Sequence, residues 1–582
     1  MKWIAQSFTL FAGLSLFVIN PSHAERYNPL KDYVYAYDSA YNYRLVSQRS
    51  EDGFDVYTIN LDSQKWRSAE EVSPVLWNHW LTLIVPDQIT TSMANIVVHS
   101  GNSDSGVPDI ESFGEYRTLA IQSGSIQAIL QQVPAQPLTF TDLDEAVQED
   151  ALVSYSWRKV METGDPTWSA YLPMTKAVVR GMDTTQKIVE DKLGFEIEQF
   201  IVTGFSKRGA IAWLTAAIDP RVSGVIPGGY SILYLDQQLE HHFNSYGFYS
   251  EALANYSNKQ ILQEIRSPEG KFLRSLIDPV SYRHTLNMPH LILNVTGDEF
   301  FLPDASEAYI DKIPGETLQR IIPNTNHSFL GHEEEMMEGL TAWYQMIVNG
   351  FARPQIDWEH DESGSLVVHS DLTPLEVRLW QANNPHGRDF RFPTVGDEAW
   401  HSTLLEVGQD GSYRISVPIP DEGYTAYMAE LTYPDVFGKA QVYTTSVFIV
   451  PDKVPFELGY PISEPKTASY WSQQVESALL GEPLDYSADE LMKMLPFFVL
   501  GEQVEDVEGL DEFLSASAAK QNCTAARLNV EAGELGWYSS IHQADANVKY
   551  WQVYDWAERL YVLESRDSAA VFCRELTQFG RD

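Results

Sequence analysis

Short apolar runs alternate with stretches of helical spacing between residues 81 and 350, and this alternation constrains the fold more than any other feature. Several of the runs end in glycine, proline or asparagine, as buried strands do. Buried strands that alternate with helices form a mostly parallel sheet with helices on both faces. We therefore predict an α/β fold with helices at 172–193, 207–218 and 333–348 and with the strands LTLIVP (81–86), NIVVHSG (95–101), IEQFIVTG (197–204), LILNVTG (291–297) and LQRIIPN (318–324).

The segments outside this alternation predict further units. Residues 32–61 have the pattern of two strands joined by the turn Glu51-Asp52-Gly53, which predicts an antiparallel edge of the sheet. A long insertion at 230–289 interrupts the alternation. Short strands separated by turn residues predict an immunoglobulin-like β-sandwich at 351–460. Helical spacing then predicts a small helical C-terminal domain at 461–582.

Residues 1–24 have the form of a secretory signal peptide, with a basic start, a short apolar run and the small-residue end Ser22-His23-Ala24. The apolar run is short for a membrane span, and no later segment is apolar enough to cross a bilayer. We therefore expect a periplasmic or secreted protein with no integral membrane segment after cleavage. In an oxidising compartment we also expect a disulfide between the two cysteines, Cys523 and Cys573.

The charge of the chain excludes one class of partner. The sequence has 40 basic and 81 acidic residues, a net charge of −41. Such a protein repels the phosphates of nucleic acids, so we expect no nucleic-acid partner.

The segment HEEEM at 332–336 lacks the second histidine of the zinc motif, and no phosphate-binding glycine loop is present. We therefore expect no metal and no other cofactor.

The segment VTGFSKRGA at 202–210 lies between a predicted strand and a predicted helix. A serine at such a turn is the nucleophile of α/β-hydrolases. Ser206 is therefore the candidate nucleophile, and the backbone N–H of Lys207 is a candidate oxyanion donor. The common Gly-x-Ser-x-Gly pattern is displaced, because Arg208 stands where its second glycine belongs and Gly209 follows one residue later. Alone, the segment fits an ordinary turn with serine as a helix cap equally well.

Two further groups follow later strands in the order serine, acid, histidine that α/β-hydrolases require. Asp298 directly follows LILNVTG and is the candidate acid, with Glu299 as a competitor and Asp304 as a weaker one. His327 follows LQRIIPN and is the candidate base. A serine hydroxyl needs such a base, and an acid that orients it, before it can act as a nucleophile.

The second oxyanion donor is expected in the loop after NIVVHSG, because the loop after an early strand completes the oxyanion hole of this fold. Gly101 and Asn102 are the candidates. Together these residues predict an α/β-hydrolase domain at 25–350, with the insertion at 230–289 as a cap. Packing within the cap explains its aromatic side chains more often than a substrate pocket does, but four of them are candidates for lining one: Tyr246, Phe248, Tyr249 and Tyr256.

Four separated segments resemble the PhoPQ-activated pathogenicity-related proteins: TWSAYLPMTKAV, VTGFSKRGAIAWLTAAIDPRVSGVIP, SLIDPVSYRHTLNMPHLILNVTGDEFFLPD and IIPNTNHSF. The resemblance covers roughly residues 30 to 460. It implies an α/β-hydrolase-like domain and, in some bacteria, an association with virulence and resistance to antimicrobial peptides.

Carried over by position, the resemblance implies Ser206 as the serine of SKRG, Asp298 as the acid of GDEFFLPD and His327 as the histidine of PNxxH. The chain has Phe205 where a smaller residue is expected, which bears on the shape of the pocket. The Ser-basic-x-Gly order is also similar to the nucleophile turn of microbial glucuronoyl esterases.

Two functions fit this sequence. The first is a serine hydrolase that cleaves an ester or amide bond in a small-molecule or peptide substrate. The second is a catalytically silent hydrolase-like protein that binds or signals, because a fold does not fix a function. The complete set of serine, acid and histidine favours the hydrolase. If Lys207 and Arg208 reach the pocket they favour an anionic substrate group, and if acids pair with them that preference is lost.

Overall fold

The computed structural model describes residues 28–456 and the backbone of four strands between residues 542 and 575. The predicted signal peptide at 1–24 lies outside the described residues. Within the part of the chain that is described, no helix is long and apolar enough to span a membrane.

The strands of the first part of the chain are β1 (Asn42–Glu51), β2 (Phe54–Lys65), β3 (Val72–Ser73), β4 (Leu76–Pro86), β5 (Met93–Val98), β6 (Gln127–Leu130), β7 (Thr139–Phe140), β8 (Gln199–Phe205), β9 (Val222–Gly228), β10 (His290–Val295) and β11 (Thr317–Ile322). Within residues 28–456, nine of them form one sheet in the order β1-β2-β4-β6-β5-β8-β9-β10-β11. β1, β2, β4 and β6 pair antiparallel, and every neighbouring pair from β6 to β11 is parallel. The predicted mostly parallel sheet with an antiparallel edge is confirmed.

The helices are α1 (Pro29–Tyr35), α2 (Gly114–Ser123), α3 (Glu149–Thr163), α4 (Tyr171–Leu193), α5 (Lys207–Ile218), α6 (Leu235–Tyr246), α7 (Ala254–Ser257), α8 (Pro268–Ile277), α9 (Glu333–Asn349) and α10 (Phe392–Val395). The cap at 230–289 contains α6, α7 and α8. Local sequence sets the helix starts, as where Ser267 accepts the N–H of Gly270 and Pro268 opens α8.

Strand β8 shows how both faces of the sheet are buried. Phe200 and Val202 lie in the core that also contains side chains of α4 and α5. Ile201, between them, lies in a second core with Trp343 of α9. Because consecutive residues of a strand point to opposite faces, burial on both sides requires the unbroken apolar run that the sequence has here.

A β-sandwich follows α9. Its strands are β12 (Ile356–His360), β13 (Ser365–Ser370), β14 (Glu376–Asn384), β15 (His401–Leu404), β16 (Tyr413–Ser416), β17 (Tyr424–Val436), β18 (Lys439–Thr444) and β19 (Phe448–Val450). One antiparallel sheet has the order β12-β13-β16, and the other has the order β15-β14-β17-β18 with β19 paired to β17. Leu366 and Ile415 of the first sheet share a core with Val377 and Leu431 of the second. The predicted two-layer β-sandwich is confirmed.

The predicted helical character of the C-terminal domain at 461–582 is wrong where the backbone is described. Strands β20 (His542–Asp545), β21 (Val548–Asp555), β22 (Arg559–Arg566) and β23 (Ala570–Glu575) form an antiparallel sheet in that order. Periodicity cannot separate a helix from strands in apolar runs this short, and turn residues between the runs permit hairpins. The predicted disulfide stays a prediction, because Cys523 lies outside the described residues and only the backbone of Cys573 is described.

The β-sandwich is joined by hydrogen bonds to the loops after β10 and β11. The N–H of Phe392 donates to the carbonyl oxygen of Gly297 at 2.8 Å. The side chain of Asn324 donates to the carbonyl oxygen of Trp400 at 2.9 Å and accepts the Trp400 N–H at 2.8 Å. Both loops therefore depend on the sandwich for part of their hydrogen bonding.

A buried ion pair also joins the β-sandwich domain to the loop after β10. Arg388 of the sandwich domain lies 2.8 Å from Asp304 in the loop after β10, and both side chains are buried. Arg388 also donates to Ser245 of the cap at 3.0 Å, and His241 of the cap lies 2.9 Å from the same Asp304 oxygen. One carboxylate thus connects the sheet domain, the cap and the sandwich.

We expect Asp304→Asn to destabilise the folded protein by about 3–5 kcal/mol, because it leaves the buried Arg388 guanidinium without its counter-charge. The midpoint of chemical unfolding measures this loss. The matched control is Asp410→Asn, which removes an exposed carboxylate paired with Arg414 and is expected to leave the midpoint unchanged. Equal midpoints for the two variants would contradict a supporting role for the buried pair.

Candidate active site

Ser206 occupies a strained turn between β8 and α5. Its backbone has φ 56° and ψ −130°, a conformation that residues with a side chain rarely adopt. The N–H of Ser206 donates to the carbonyl oxygen of Gly228 on the neighbouring strand at 2.8 Å, which holds the turn against the sheet. A strained serine between a strand and a helix is the geometry that exposes a nucleophilic hydroxyl in α/β-hydrolases.

Two glycines permit this turn. A Cβ added to Gly204 would lie 2.2 Å from the carbonyl oxygen of Arg208. A Cβ added to Gly209 would lie 2.9 Å from the Cβ of Tyr230 and 3.0 Å from the carbonyl oxygen of Gly228. Gly209 therefore allows the close approach of helix to strand that the second glycine allows in the common motif. The displacement of that glycine by one position is accommodated without losing the contact.

The structure brings Ser206, His327 and Asp298 into one chain of hydrogen bonds. The hydroxyl Oγ of Ser206 lies 2.9 Å from Nε2 of His327. Nδ1 of His327 lies 2.7 Å from Oδ2 of Asp298. The other Asp298 oxygen accepts the backbone N–H groups of Phe300 at 2.7 Å and Phe301 at 3.2 Å. These bonds fix the direction of the carboxylate towards the ring.

The two competing acids lie elsewhere. Glu299 accepts the backbone N–H of His327 at 3.0 Å, so it supports the loop that carries the ring. Asp304 is taken up by Arg388 and His241, as described above. Geometry therefore assigns the contact with the imidazole to Asp298.

The imidazole of His327 is mostly enclosed, with 15% of its side chain exposed. The ring of Phe300 lies 4.5 Å from it and that of Phe301 lies 5.7 Å from it, measured between centroids. Burial acts against the charged ring, but the nearby carboxylates of Asp298 and Glu299 outweigh it, and the pKa of His327 is raised above its ordinary value.

The predicted oxyanion donors fall into two groups. Lys207 opens α5, so its backbone N–H has no acceptor within the helix and stands beside Ser206. The carbonyl oxygen of Gly101 accepts from Gln136 at 3.4 Å and that of Asn102 accepts from Gln132 at 2.7 Å. These contacts anchor the loop, and its N–H groups remain predicted donors.

The two cations after the nucleophile are both held by Glu149, a residue that the sequence did not single out. Its carboxylate lies 2.9 Å from Nζ of Lys207 and binds two nitrogens of Arg208 at 2.8 and 2.6 Å. Lys207 also lies 3.3 Å from Asp150. Because acids pair with both cations, the preference for an anionic substrate group is not supported.

Glu149 also contacts Gln136, the residue whose side chain donates to the carbonyl oxygen of Gly101. Gln136 donates to the Glu149 carboxylate at 2.5 Å and accepts the Glu149 N–H at 2.8 Å. Burial raises the pKa of the Glu149 carboxyl, but Arg208 and Lys207 outweigh it and lower the pKa to about 2. The carboxylate is therefore charged at neutral pH.

Most aromatic residues predicted as pocket candidates serve other contacts. Tyr246 and Phe248 lie within 5.1 and 5.0 Å of the Arg391 guanidinium, and Tyr249 packs on Phe243. Tyr256 alone among the four lines the cavity beside Ser206 in the described part of the chain.

The fold and this site define an α/β-hydrolase-like protein, with serine, acid and histidine after β8, β10 and β11 of one parallel sheet. The sequence profile described as PhoPQ-activated pathogenicity-related protein matches residues 30–391. The chain belongs to this family.

A relative and two solved structures illustrate the similarity. Autocrine proliferation repressor protein A of Dictyostelium discoideum is 31% identical over 455 residues, which cover 74% of this chain and 91% of the relative. The acetyl xylan esterase of Paenibacillus sp. R4 has a TM-score of 0.39 and 15% identity, over 56% of this chain and 92% of its own. The S-formylglutathione hydrolase of Agrobacterium tumefaciens has a TM-score of 0.34 and 16% identity, over 52% and 98%.

We expect Gly209→Ala to destabilise the protein by about 1–3 kcal/mol, because the added methyl group forces α5 away from β9. The same movement should shift Ser206 and slow any labelling of its hydroxyl by a fluorophosphonate probe. Unfolding midpoints and labelling rates measure both effects. The control is Gly339→Ala in α9, where an added Cβ meets nothing within 4 Å. It should keep or raise stability and leave labelling unchanged, and parallel losses in both variants would contradict a specific role for Gly209.

Proposed function

We propose that this protein is an exported serine hydrolase that cleaves an ester or amide bond. The observation that carries the proposal is the hydrogen-bond chain from the Ser206 hydroxyl through His327 to Asp298, at 2.9 and 2.7 Å. Export is inferred from the signal-peptide pattern of residues 1–24 and leads to the periplasm or the exterior of the cell. The substrate is a small molecule or a peptide.

In the first half of the reaction, Oγ of Ser206 attacks the substrate carbonyl carbon while Nε2 of His327 takes the hydroxyl proton. Asp298 holds the ring through Nδ1 and stabilises the imidazolium. The backbone N–H of Lys207, at the positive end of α5, stabilises the oxyanion. The carbon–oxygen or carbon–nitrogen bond then breaks, His327 protonates the leaving alcohol or amine, and the acyl group remains on Ser206.

In the second half, His327 removes a proton from water and the resulting hydroxide attacks the acyl carbon. The ester bond to Ser206 breaks and its oxygen regains the proton from His327. The carboxylic acid product leaves, and the site returns to its starting state.

The second candidate is a hydrolase-like protein without turnover, acting by binding or signalling. It is favoured by the name of the relative from Dictyostelium discoideum, which describes a repressor of proliferation. Labelling with a fluorophosphonate probe separates the two candidate functions, because only a working site activates Ser206.

We expect a fluorophosphonate probe to label the wild-type protein and to leave Ser206→Ala unlabelled, as measured by the mass of the modified peptide. Asp298→Asn should slow labelling by up to about 10⁴-fold, because the ring loses its orienting charge. Glu299→Gln is the matched control, since glutamine can still accept the His327 N–H, and it should react nearly as fast as wild type. A well-folded wild type that stays unlabelled supports the silent protein, and loss of labelling only in Glu299→Gln makes Glu299 the acid.

The raised pKa of His327 sets the pH dependence of this reaction. The ring must be neutral to accept the serine proton, so the labelling rate should fall as the pH falls through the His327 pKa, with a midpoint above the ordinary value of about 6.5. Glu299→Gln removes one of the negative charges that raise this pKa and should move the midpoint lower. Labelling rates between pH 5 and 9 test this, and a midpoint that rises in the variant would contradict the electrostatic explanation.

A further inference from the structure

A cavity of about 50 Å³ lies beside Ser206, between the cap and the sheet domain. Ser206 and Lys207 lie at the cavity, and helices α3 and α4 and the cap contribute its walls. One water-sized probe occupies about 10–15 Å³ of such volume, so the space holds roughly four water-sized groups. This size fits a short chain or a small side chain.

The walls of the cavity are apolar. Apart from two tyrosines, the cap contributes aliphatic side chains, among them Ile232, Leu239 and Ile261. The hydroxyl of the cap residue Tyr256 is already engaged, because it donates to Asp150 at 2.8 Å. An apolar group placed here would replace water against hydrocarbon surface, which is the favourable exchange of the hydrophobic effect.

The charged groups at the cavity are paired with one another. Lys207 contacts the carboxylates of Glu149 at 2.9 Å and Asp150 at 3.3 Å. A charged substrate group would have to break these pairs or be buried without a partner, and either is costly. The cavity therefore discriminates against both anions and cations.

We propose that this cavity binds a short, uncharged apolar group of the substrate, held against Ile232 and the other aliphatic side chains of the cap. The inference rests on the proposed function, because it takes Ser206 as the nucleophile beside the cavity. The group belongs either to the acyl side of the cleaved bond or to the leaving alcohol or amine. Both sources offer the same aliphatic chemistry.

The test compares p-nitrophenyl acetate, butyrate, octanoate and hemisuccinate for the acyl side, and methyl and n-butyl acetate for the leaving side. One of the two series varies the group that the cavity binds. In that series we expect Ile232→Phe to lower kcat/KM for the four-carbon chain by about tenfold or more, and to change kcat/KM for the shortest substrate little. The kcat/KM for the hemisuccinate ester should be at least about tenfold lower than that for the butyrate ester, because the free carboxylate of the hemisuccinate is charged. The series in which the chain preference changes identifies the side.

Matched variants distinguish a change in the cavity from a general loss of activity. Ile121→Phe makes the same substitution on α2, where Ile121 is 49% exposed, and should leave every ratio unchanged. Ile232→Ala enlarges the cavity and should move the preference towards longer chains. The proposal is overturned if neither Ile232 variant changes the chain preference in either series, or if hemisuccinate is the better substrate.

A binding measurement keeps this test independent of turnover. If wild-type protein cleaves none of the esters, ligand-observed NMR of butyramide and succinamate on the folded protein decides instead. Binding of butyramide that Ile232→Phe weakens, with no binding of succinamate, supports the apolar site even when fluorophosphonate labelling of Ser206 fails. No butyramide binding, or binding unaffected by Ile232→Phe, overturns the apolar site whether or not Ser206 is labelled.

Discussion

The close packing of α5 against β8 and β9 is the contact on which the candidate active site depends. Gly204 and Gly209 remove the side chains that would hold the helix away from the strands. The resulting turn forces Ser206 into its strained backbone conformation and directs its hydroxyl to His327. A small increase in the distance between helix and sheet would therefore alter the geometry of the candidate site.

The same packing explains how Phe205 is accommodated. A Cβ on Gly228 would lie 2.2 Å from the Phe205 ring, so the glycine on the neighbouring strand provides the space that this ring fills. The ring also meets Phe329 edge to face, with centroids 5.8 Å apart. Phe205 thus contributes to the core, and the wall of the cavity is formed by other residues. Packing therefore explains why a large residue stands directly before Ser206.

Sequence patterns predicted those features of the structure that depend on the order of strands and helices along the chain. The carboxyl ends of parallel strands meet at one edge of a sheet, so Ser206, Asp298 and His327 could be brought together from their positions after strands. Asp298 was the preferred acid because it directly follows a strand, but Glu299 and Asp304 stayed open as competitors, because side-chain direction within a loop depends on contacts with distant residues. Glu149 was missed for the same reason, since its partners lie 58 and 59 residues away. The C-terminal strands were missed because their apolar runs also satisfy helical spacing.

The hydrogen bonds between the β-sandwich and the loops after β10 and β11 have a consequence for how this protein can be divided. A fragment ending at residue 350 would contain the serine, the acid and the histidine, yet it would lack Phe392, Trp400 and Arg388, which bind the two loops. The sheet domain and the β-sandwich therefore have to be expressed or exchanged together as one unit, which is longer than the hydrolase fold. A sandwich transplanted from a distant relative would have to reproduce these three contacts before the hydrolase-like domain could keep its loop geometry.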